Sequence, residues 1–167
     1  CIELDWWRVR KFLFSAYKSG FDEIEVNFKD PKVLEAINRE AEMLLGFEII
    51  TQRKDYCLLK NVASPLKESF PDLVNKTFLF TISFLDDVIV AFDTKNLKSL
   101  ADLELRERTQ NKLVQAVLRL LLEYRYTLVQ IPEFTYFIIS ELEAIGDDLK
   151  YVCRYYKDKD ISISKNV

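Results

Sequence analysis

Residues Ile131 to Tyr156, IPEFTYFIISELEAIGDDLKYVCRYY, constrain the fold more than any other stretch of the chain. Apolar residues recur here at alternating steps of four and three, which places them along one side of a helix; they are Ile138, Leu142, Ile145, Leu149, Val152 and Tyr156. Pro132 and Glu133 suit the first turn of a helix, where a missing N–H costs nothing and a carboxylate faces the positive end of the helix dipole. The stretch therefore predicts a helix that packs an apolar ridge into a bundle.

Four carboxylates lie beside this ridge: Glu141, Glu143, Asp147 and Asp148. Glu143 and Asp147 are four residues apart, so their side chains lie one turn apart on the same face and repel each other unless a positive charge separates them. A divalent cation bound by their oxygens would supply that charge, whereas a solvated acidic face is the simpler alternative. Gly146 costs a helix about 1 kcal/mol relative to alanine, and such a glycine often marks a close approach to the backbone.

Three segments carry a resemblance to one family. The run Leu142 to Asp148, LEAIGDD, resembles the LERIGD signature that ends the three-helix unit of PhoU proteins, the regulators of phosphate uptake. Tyr17 to Val26 and Leu44 to Ile50 are similar to the YxxGYDxIxI and LIGLEII segments of archaeal PhoU-like regulators, which carry an αβ segment before the bundle. Together the three segments span most of the chain in the order that the family has.

The resemblance implies a metal site, because ExxxD motifs of the family bind metal. Glu143 and Asp147 fall on the ExxxD positions, and the best counterpart on the preceding helix is Glu107 to Asn111, which has asparagine where the family has aspartate. The expected ligands of a divalent or trivalent ion are therefore Glu143, Asp147, Glu107 and Asn111. The missing carboxylate predicts weaker binding than in a relative with the full motif, or none. Glu107 could instead pair with neighbouring cations on a solvated helix face: Arg106, Arg108 and Lys112.

The order of patterns predicts an α+β fold with two subdomains and a tail. Residues 1–63 read as αβαββ: helices from Leu4 to Ser19 and after Asp30-Pro31, a strand at Glu23 to Phe28, and a hairpin formed by Phe47 to Thr51 and Asp55 to Val62. Residues 64–157 contain long helical runs, expected from about Leu66 to Phe92, from near Leu97 to Leu128, and in the stretch from Ile131. Short connections predict an antiparallel three-helix bundle, similar to one PhoU unit, followed by the tail 158–167.

Composition excludes several function classes. The 167 residues contain no histidine, which removes the commonest general base and every Ser-His-Asp or Cys-His arrangement. A net charge of −3 and a pI near 5.2 disfavour direct binding of nucleic acid by this segment. The most apolar run, Phe78 to Phe92, is too short to cross a membrane, and three widely spaced cysteines indicate reduced thiols, so we expect a cytoplasmic protein without membrane insertion.

The resemblance implies a regulatory, non-enzymatic protein that controls phosphate uptake by protein–protein interaction, with a phosphate transporter or a sensor kinase as partner. A single three-helix unit would leave an apolar ridge uncovered, which predicts a homodimer. The DNA-binding AbrB-like segment of the family would precede Cys1, so transcriptional activity cannot be read from these residues. The alternatives are a structural dimerisation module of a regulator unrelated to phosphate and, with less support, a metal-dependent phosphoesterase.

Overall fold

The computed structural model describes residues 6–63, 70–96, 99–124 and 129–156. These residues form five helices and a three-stranded sheet, which confirms the α+β class. The elements are α1 (Trp6–Lys18), β1 (Glu23–Asn27), α2 (Lys32–Ala41), β2 (Phe47–Gln52), β3 (Tyr56–Asn61), α3 (Phe70–Asp93), α4 (Leu100–Tyr124) and α5 (Pro132–Tyr156). Several expectations fall outside the described residues: the helix starts at Leu4, Leu66 and Leu97, the helix end at Leu128, and the tail.

The first five elements follow the predicted αβαββ order. The sheet is antiparallel with strand order β1-β3-β2, and β2 and β3 form the predicted hairpin. Alternation in β1 buries Ile24 while its neighbours are exposed, as expected for a strand with one covered face. Helices α1 and α2 pack together and share one core with the sheet, which includes Leu13, Ile37 and Leu59. Among the described residues, this core contains none from the long helices.

The apolar pattern of the first helix places six residues on one broad side, and the structure buries only part of that side; the six are Trp7, Val9, Phe12, Leu13, Ala16 and Tyr17. Val9, Leu13 and Tyr17 are buried as expected, but Trp7 and Phe12 are 45% and 51% exposed. A helix turns by about 100° per residue, so Phe12 is rotated by that angle from Leu13, away from the covered side. Phe14 is rotated as far in the other direction and is buried in the shared core. The helix stops where expected, because Gly20 adopts a φ of 85°, a left-handed conformation that favours glycine.

The three long helices pack against one another. Gln110 of α4 contacts Thr81 of α3, whereas Arg106, one turn earlier, contacts Ser83 and Asp87. Rising residue numbers on α3 thus meet falling numbers on α4, so the two helices are antiparallel. The same holds for α4 and α5, where Gln115 meets Glu143 and Glu107 meets Lys150. Helices α3 and α5 consequently run parallel, as the contact between the rings of Phe92 and Tyr156 also indicates.

The apolar ridge predicted for α5 is displaced around the helix. Leu142 and Leu149 are buried as expected, but Ile145 and Val152 are 43% and 37% exposed. The observed buried line alternates steps of three and four through Ile139, Leu142, Gly146, Leu149 and Cys153. Gly146 explains the displacement, because the absence of a side chain there admits the Gln110 amide of α4 against the α5 backbone.

One buried arginine joins the long helices to the αβ elements. Arg119 of α4 is 5% exposed and donates hydrogen bonds to the carbonyl oxygens of Tyr17 (2.7 Å), Phe21 (2.9 Å) and Gly20 (3.4 Å). It also donates to Asp22 Oδ1 at 2.9 Å. Its guanidinium therefore bonds to backbone acceptors in the last turn of α1 and in the residues that follow it. A cavity of about 410 Å³ lies beside Arg119. Of its charged lining residues, Asp22 pairs with Arg119 and Lys60 pairs with Glu23.

Candidate functional site

The four residues predicted to bind metal lie on two facing helices. Glu107 and Asn111 occupy successive turns of α4, where they are 5% and 1% exposed, and Glu143 and Asp147 lie on α5. The Asn111 amide donates a hydrogen bond to Glu107 Oε1. The structure therefore brings Glu107 and Asn111 together, as their i, i+4 spacing predicts.

The positive charge between the helices comes from the chain itself. Lys150 Nζ lies 3.0 Å from Glu107 Oε1 and 2.5 Å from Asp147 Oδ1. Burial lowers the pKa of Lys150, but its hydrogen bonds to Asp147 and Glu107 outweigh this effect and raise that pKa above the ordinary value. An ammonium group thus bridges one carboxylate of α4 and one of α5.

Glu143 and Asp147 do not share this cation. Glu143 Oε2 instead accepts a hydrogen bond of 3.2 Å from Gln115 Nε2 of α4. Burial raises the pKa of Glu143, Lys18 and Arg10 partly offset this rise, and the negative charges of Asp147 and Glu107 add to it. Buried carboxyl groups of raised pKa are typical of functional sites, although structural networks also produce them.

Glu107 and Asn111 belong to a buried polar layer, which we define as Glu107, Gln110, Asn111 and Gln115 of α4. Gln110 donates to Thr81 Oγ1 of α3 at 3.0 Å and to the Leu142 carbonyl of α5, so one amide links all three long helices. The amide oxygens of Gln110, Asn111 and Gln115 are buried and have no hydrogen-bond partner among the described residues. Such polar groups within a core specify one arrangement of helices, because any shift would break the paired ones.

We expect Gly146→Ala to destabilise the bundle by about 2 kcal/mol, even though alanine favours a helix over glycine by about 1 kcal/mol. A Cβ at position 146 would overlap the Gln110 amide and displace it from Thr81 and Leu142. Urea denaturation followed by circular dichroism measures the change.

The double variant Gly146→Ala/Gln110→Ala serves as the control for this prediction. Removing the Gln110 side chain also removes the overlap, so the double variant should be more stable than Gln110→Ala alone by the helix preference of alanine. A Gly146→Ala variant as stable as the wild type would show that Gln110 relocates without cost.

Sequence reasoning missed three residues of this region: Gln110, Gln115 and Lys150. Gln110 and Gln115 are polar residues, and the apolar pattern of the second long helix does not include them; that pattern runs through Leu113, Ala116, Val117, Leu120, Tyr124 and Leu128. Lys150 follows Asp147 by three residues, a spacing that brings opposite charges together on a helix. That spacing could have predicted the pair of Lys150 and Asp147. It could not have predicted Glu107, the second partner of Lys150, because Glu107 lies on another helix.

A second candidate region is an exposed apolar surface, here called the outer face, which α3 and α5 form together. Its side chains are 37–67% exposed and lie at helical spacings on the two parallel helices. On α3 they are Leu79, Ile82, Leu85, Ile89 and Val90; on α5 they are Phe134, Phe137, Ile145, Val152 and Tyr155. Helix α3 thus has one apolar side that contacts α4 and a second apolar side that belongs to the outer face. Two apolar sides are typical of a helix that is covered from two directions.

Catalytic and metal groups are sparse in the described residues. In the described part of the chain, no three side chains of histidine, cysteine, aspartate or glutamate lie close enough together to hold a metal ion. Cys57 and Cys153 are free and buried, and burial raises the pKa of the Cys57 thiol, which disfavours the reactive thiolate. None of the described helices combines the length and apolar character needed to cross a membrane.

Comparisons of the chain with protein-family models, with curated proteins and with solved structures found no significant match. The functional role of the chain therefore has to follow from the geometry of the polar layer and of the outer face. The polar layer holds the long helices in register, whereas the outer face is available for contact with another molecule.

Proposed function

We propose that this chain is a regulatory, non-enzymatic protein that binds other proteins through its outer face, and that the process it controls is phosphate uptake. The observation that carries the binding role is the set of ten exposed apolar side chains at helical spacings on α3 and α5. The phosphate connection is supported by the resemblance of the LEAIGDD segment and the two αβ segments to PhoU-like regulators.

The size of the outer face supports a binding role. Its ten side chains are each about half exposed, so their combined accessible area is on the order of 800 Å². One partner of a specific protein–protein interface commonly buries an area of about 800 Å². The outer face therefore matches an interface in area as well as in composition.

The polar layer supports a structural role for the acidic residues. Lys150 takes the place between Glu107 and Asp147 that a metal ion would need, and Glu143 is directed at Gln115. As arranged, these residues do not fit a bound metal ion, so the proposal includes no metal-dependent step. Metal binding by Glu143, Asp147, Glu107 and Asn111 stays a prediction, which would require Lys150 to leave this position.

The proposal is tested in the source organism by deleting the gene and measuring uptake of labelled phosphate in phosphate-rich and phosphate-poor medium. We expect deletion to alter the response of uptake to phosphate, and the wild-type gene to restore it. Leu85→Asp, which places a charge within the outer face, should fail to restore it.

Leu105→Asp is the matched control, because Leu105 is a 63% exposed leucine on α4, outside the outer face. This variant should restore the response as well as the wild type does. Unchanged uptake after deletion would contradict the phosphate role, and restoration by Leu85→Asp would contradict the role of the outer face.

Homodimerisation, predicted from the sequence, would use the same surface and would also suit a structural dimerisation module. The mass of the purified protein under native conditions measures it. A dimer that Leu85→Asp converts to a monomer would favour that module.

A further inference from the structure

The outer face contains a groove that runs between two parallel helices. Phe78 packs against the core cluster that includes Ile139 and Leu142, and Phe92 contacts Tyr156. Helices α3 and α5 also contact each other directly, so they lie side by side over about four turns. On α3 the wall of the groove is formed by Ile82, Leu85 and Ile89 at steps of three and four. On α5 it is formed by Ile138, Ile145 and Val152 at steps of seven. This is the spacing with which helices receive another helix between them.

The groove has an acidic edge on each side. Asp86 and Asp93 come four residues after wall residues of α3, and Glu141 and Asp148 come three residues after wall residues of α5. Because steps of four and of three rotate in opposite directions around parallel helices, the two pairs lie on opposite sides of the groove. All four are exposed, and none forms a salt bridge with any described residue. Asp87, in contrast, points away from the groove and pairs with Arg106. Each edge of the apolar groove thus carries two exposed carboxylates that are available to pair with a cation of a partner.

We propose that this groove binds a basic amphipathic helix of a partner protein, which completes a four-helix arrangement with α3, α4 and α5. Leucine-like side chains of the partner fill the groove, and its lysines or arginines pair with Asp86, Asp93, Glu141 and Asp148. A second copy of the outer face fits less well, because self-pairing would bring acidic edges together. The inference rests on the proposed binding function and names its partner chemistry.

The test uses the whole chain and a synthetic peptide of about three heptads, with leucine at the a and d positions and lysine at e and g. Fluorescence anisotropy of the labelled peptide measures binding. We expect a Kd of about 10 μM or tighter, weakened when salt rises from about 0.05 M to about 0.5 M. Asp86→Lys/Asp148→Lys should bind this peptide at least about ten-fold more weakly and should gain binding of the same peptide with glutamate in place of lysine.

Two controls separate groove binding from general attraction to an acidic protein. Glu25→Lys/Asp55→Lys reverses two exposed carboxylates on the sheet and should leave binding within about two-fold of the wild type. A peptide of the same composition with its leucines out of register should not bind. Equal binding of the scrambled peptide, or an equal effect of both reversals, would overturn the proposal.

Native mass measurement adds a third outcome. A wild-type dimer that Leu85→Asp dissociates, together with absence of peptide binding, would assign the groove to a second copy and overturn the basic-helix proposal. These results are independent of phosphate uptake. If gene deletion leaves phosphate uptake unchanged but the peptide binds specifically, only the phosphate role is contradicted. If deletion alters uptake but the peptide does not bind, only the basic-helix partner is contradicted.

Discussion

Arg119→Met should lower the free energy of unfolding by about 4 kcal/mol, which corresponds to a fall in Tm of roughly 8–16 °C for a chain of this size. Methionine keeps most of the apolar length of the side chain but removes the donors that bond to the Tyr17, Gly20 and Phe21 carbonyls and to Asp22. These carbonyls lie at the C-terminal end of α1 and just after it. Losing the hydrogen bonds that they accept from Arg119 weakens both that helix end and its attachment to α4.

Two spectroscopic probes make the prediction specific to the junction. The chain has two tryptophans, Trp6 and Trp7, and both lie on α1, so fluorescence reports mainly the αβ elements. Far-ultraviolet circular dichroism reports mainly α3, α4 and α5, which contain most of the helical residues. We expect the two urea transitions to coincide in the wild type and to separate in Arg119→Met, with fluorescence changing first.

Two further substitutions test why the residue must be arginine. Arg119→Lys should recover little of the loss, because one ammonium group cannot reach the acceptors that the planar guanidinium spans. Arg8→Met removes an exposed arginine of α1 and should change stability by less than about 0.5 kcal/mol. Coincident transitions and a loss below about 1 kcal/mol in Arg119→Met would show that the junction is held elsewhere.

Local patterns predicted most of the fold. Alternation identified β1 and the β2–β3 hairpin, Asp30-Pro31 preceded α2, and Pro132 marked the start of α5. These features succeed because strand alternation, turn residues and helix starts depend on neighbours in the sequence. The displaced ridge of α5 shows the limit. Ile145 and Val152 are apolar residues at helical spacing, but periodicity records which residues are apolar and not which apolar side a neighbouring helix covers.

The interior of the candidate site was less predictable for a related reason. Gln110 and Gln115 resemble surface residues in sequence, and they are buried because α3 and α5 supply groups on both sides of α4. Glu143 and Asp147 were predicted to share one cation because they are four residues apart. In the structure they separate, since Lys150 binds Asp147 and Gln115 binds Glu143. The pairing depends on contacts between helices, which spacing within one helix does not encode.

Lys150→Met should cost about 3 kcal/mol at neutral pH, a fall in Tm of roughly 6–12 °C. The substitution leaves Glu107, whose side chain is 7% exposed, with Asn111 as its remaining neutral donor. Removing one partner of a buried ion pair is costly because the other charge stays buried without compensation. Lys76→Met, which replaces an exposed lysine of α3, is the matched control and should change stability by less than about 0.5 kcal/mol.

The pH dependence of this loss follows from the raised pKa of Lys150. A group whose pKa is higher in the folded than in the unfolded state stabilises the fold fully below its unfolded value, and that contribution disappears as pH rises through the folded value. The ordinary lysine pKa is 10.5, so the difference between wild type and Lys150→Met should be constant from about pH 6 to pH 9 and should shrink only above about pH 10.5. A difference that shrinks between pH 6 and pH 9 would contradict an ammonium bridge.

The same variant separates the ammonium bridge from a metal site. If Lys150 supplies the cation, adding about 1 mM Mn²⁺ or a chelator should leave the Tm of the wild type unchanged, because an ion that does not bind the folded chain cannot stabilise it. Lys150→Met removes the competing ammonium and leaves Glu107, Asp147 and Asn111 able to gain an ion. A chelator that lowers the Tm of the wild type would show that metal, and not Lys150, occupies the space between the carboxylates.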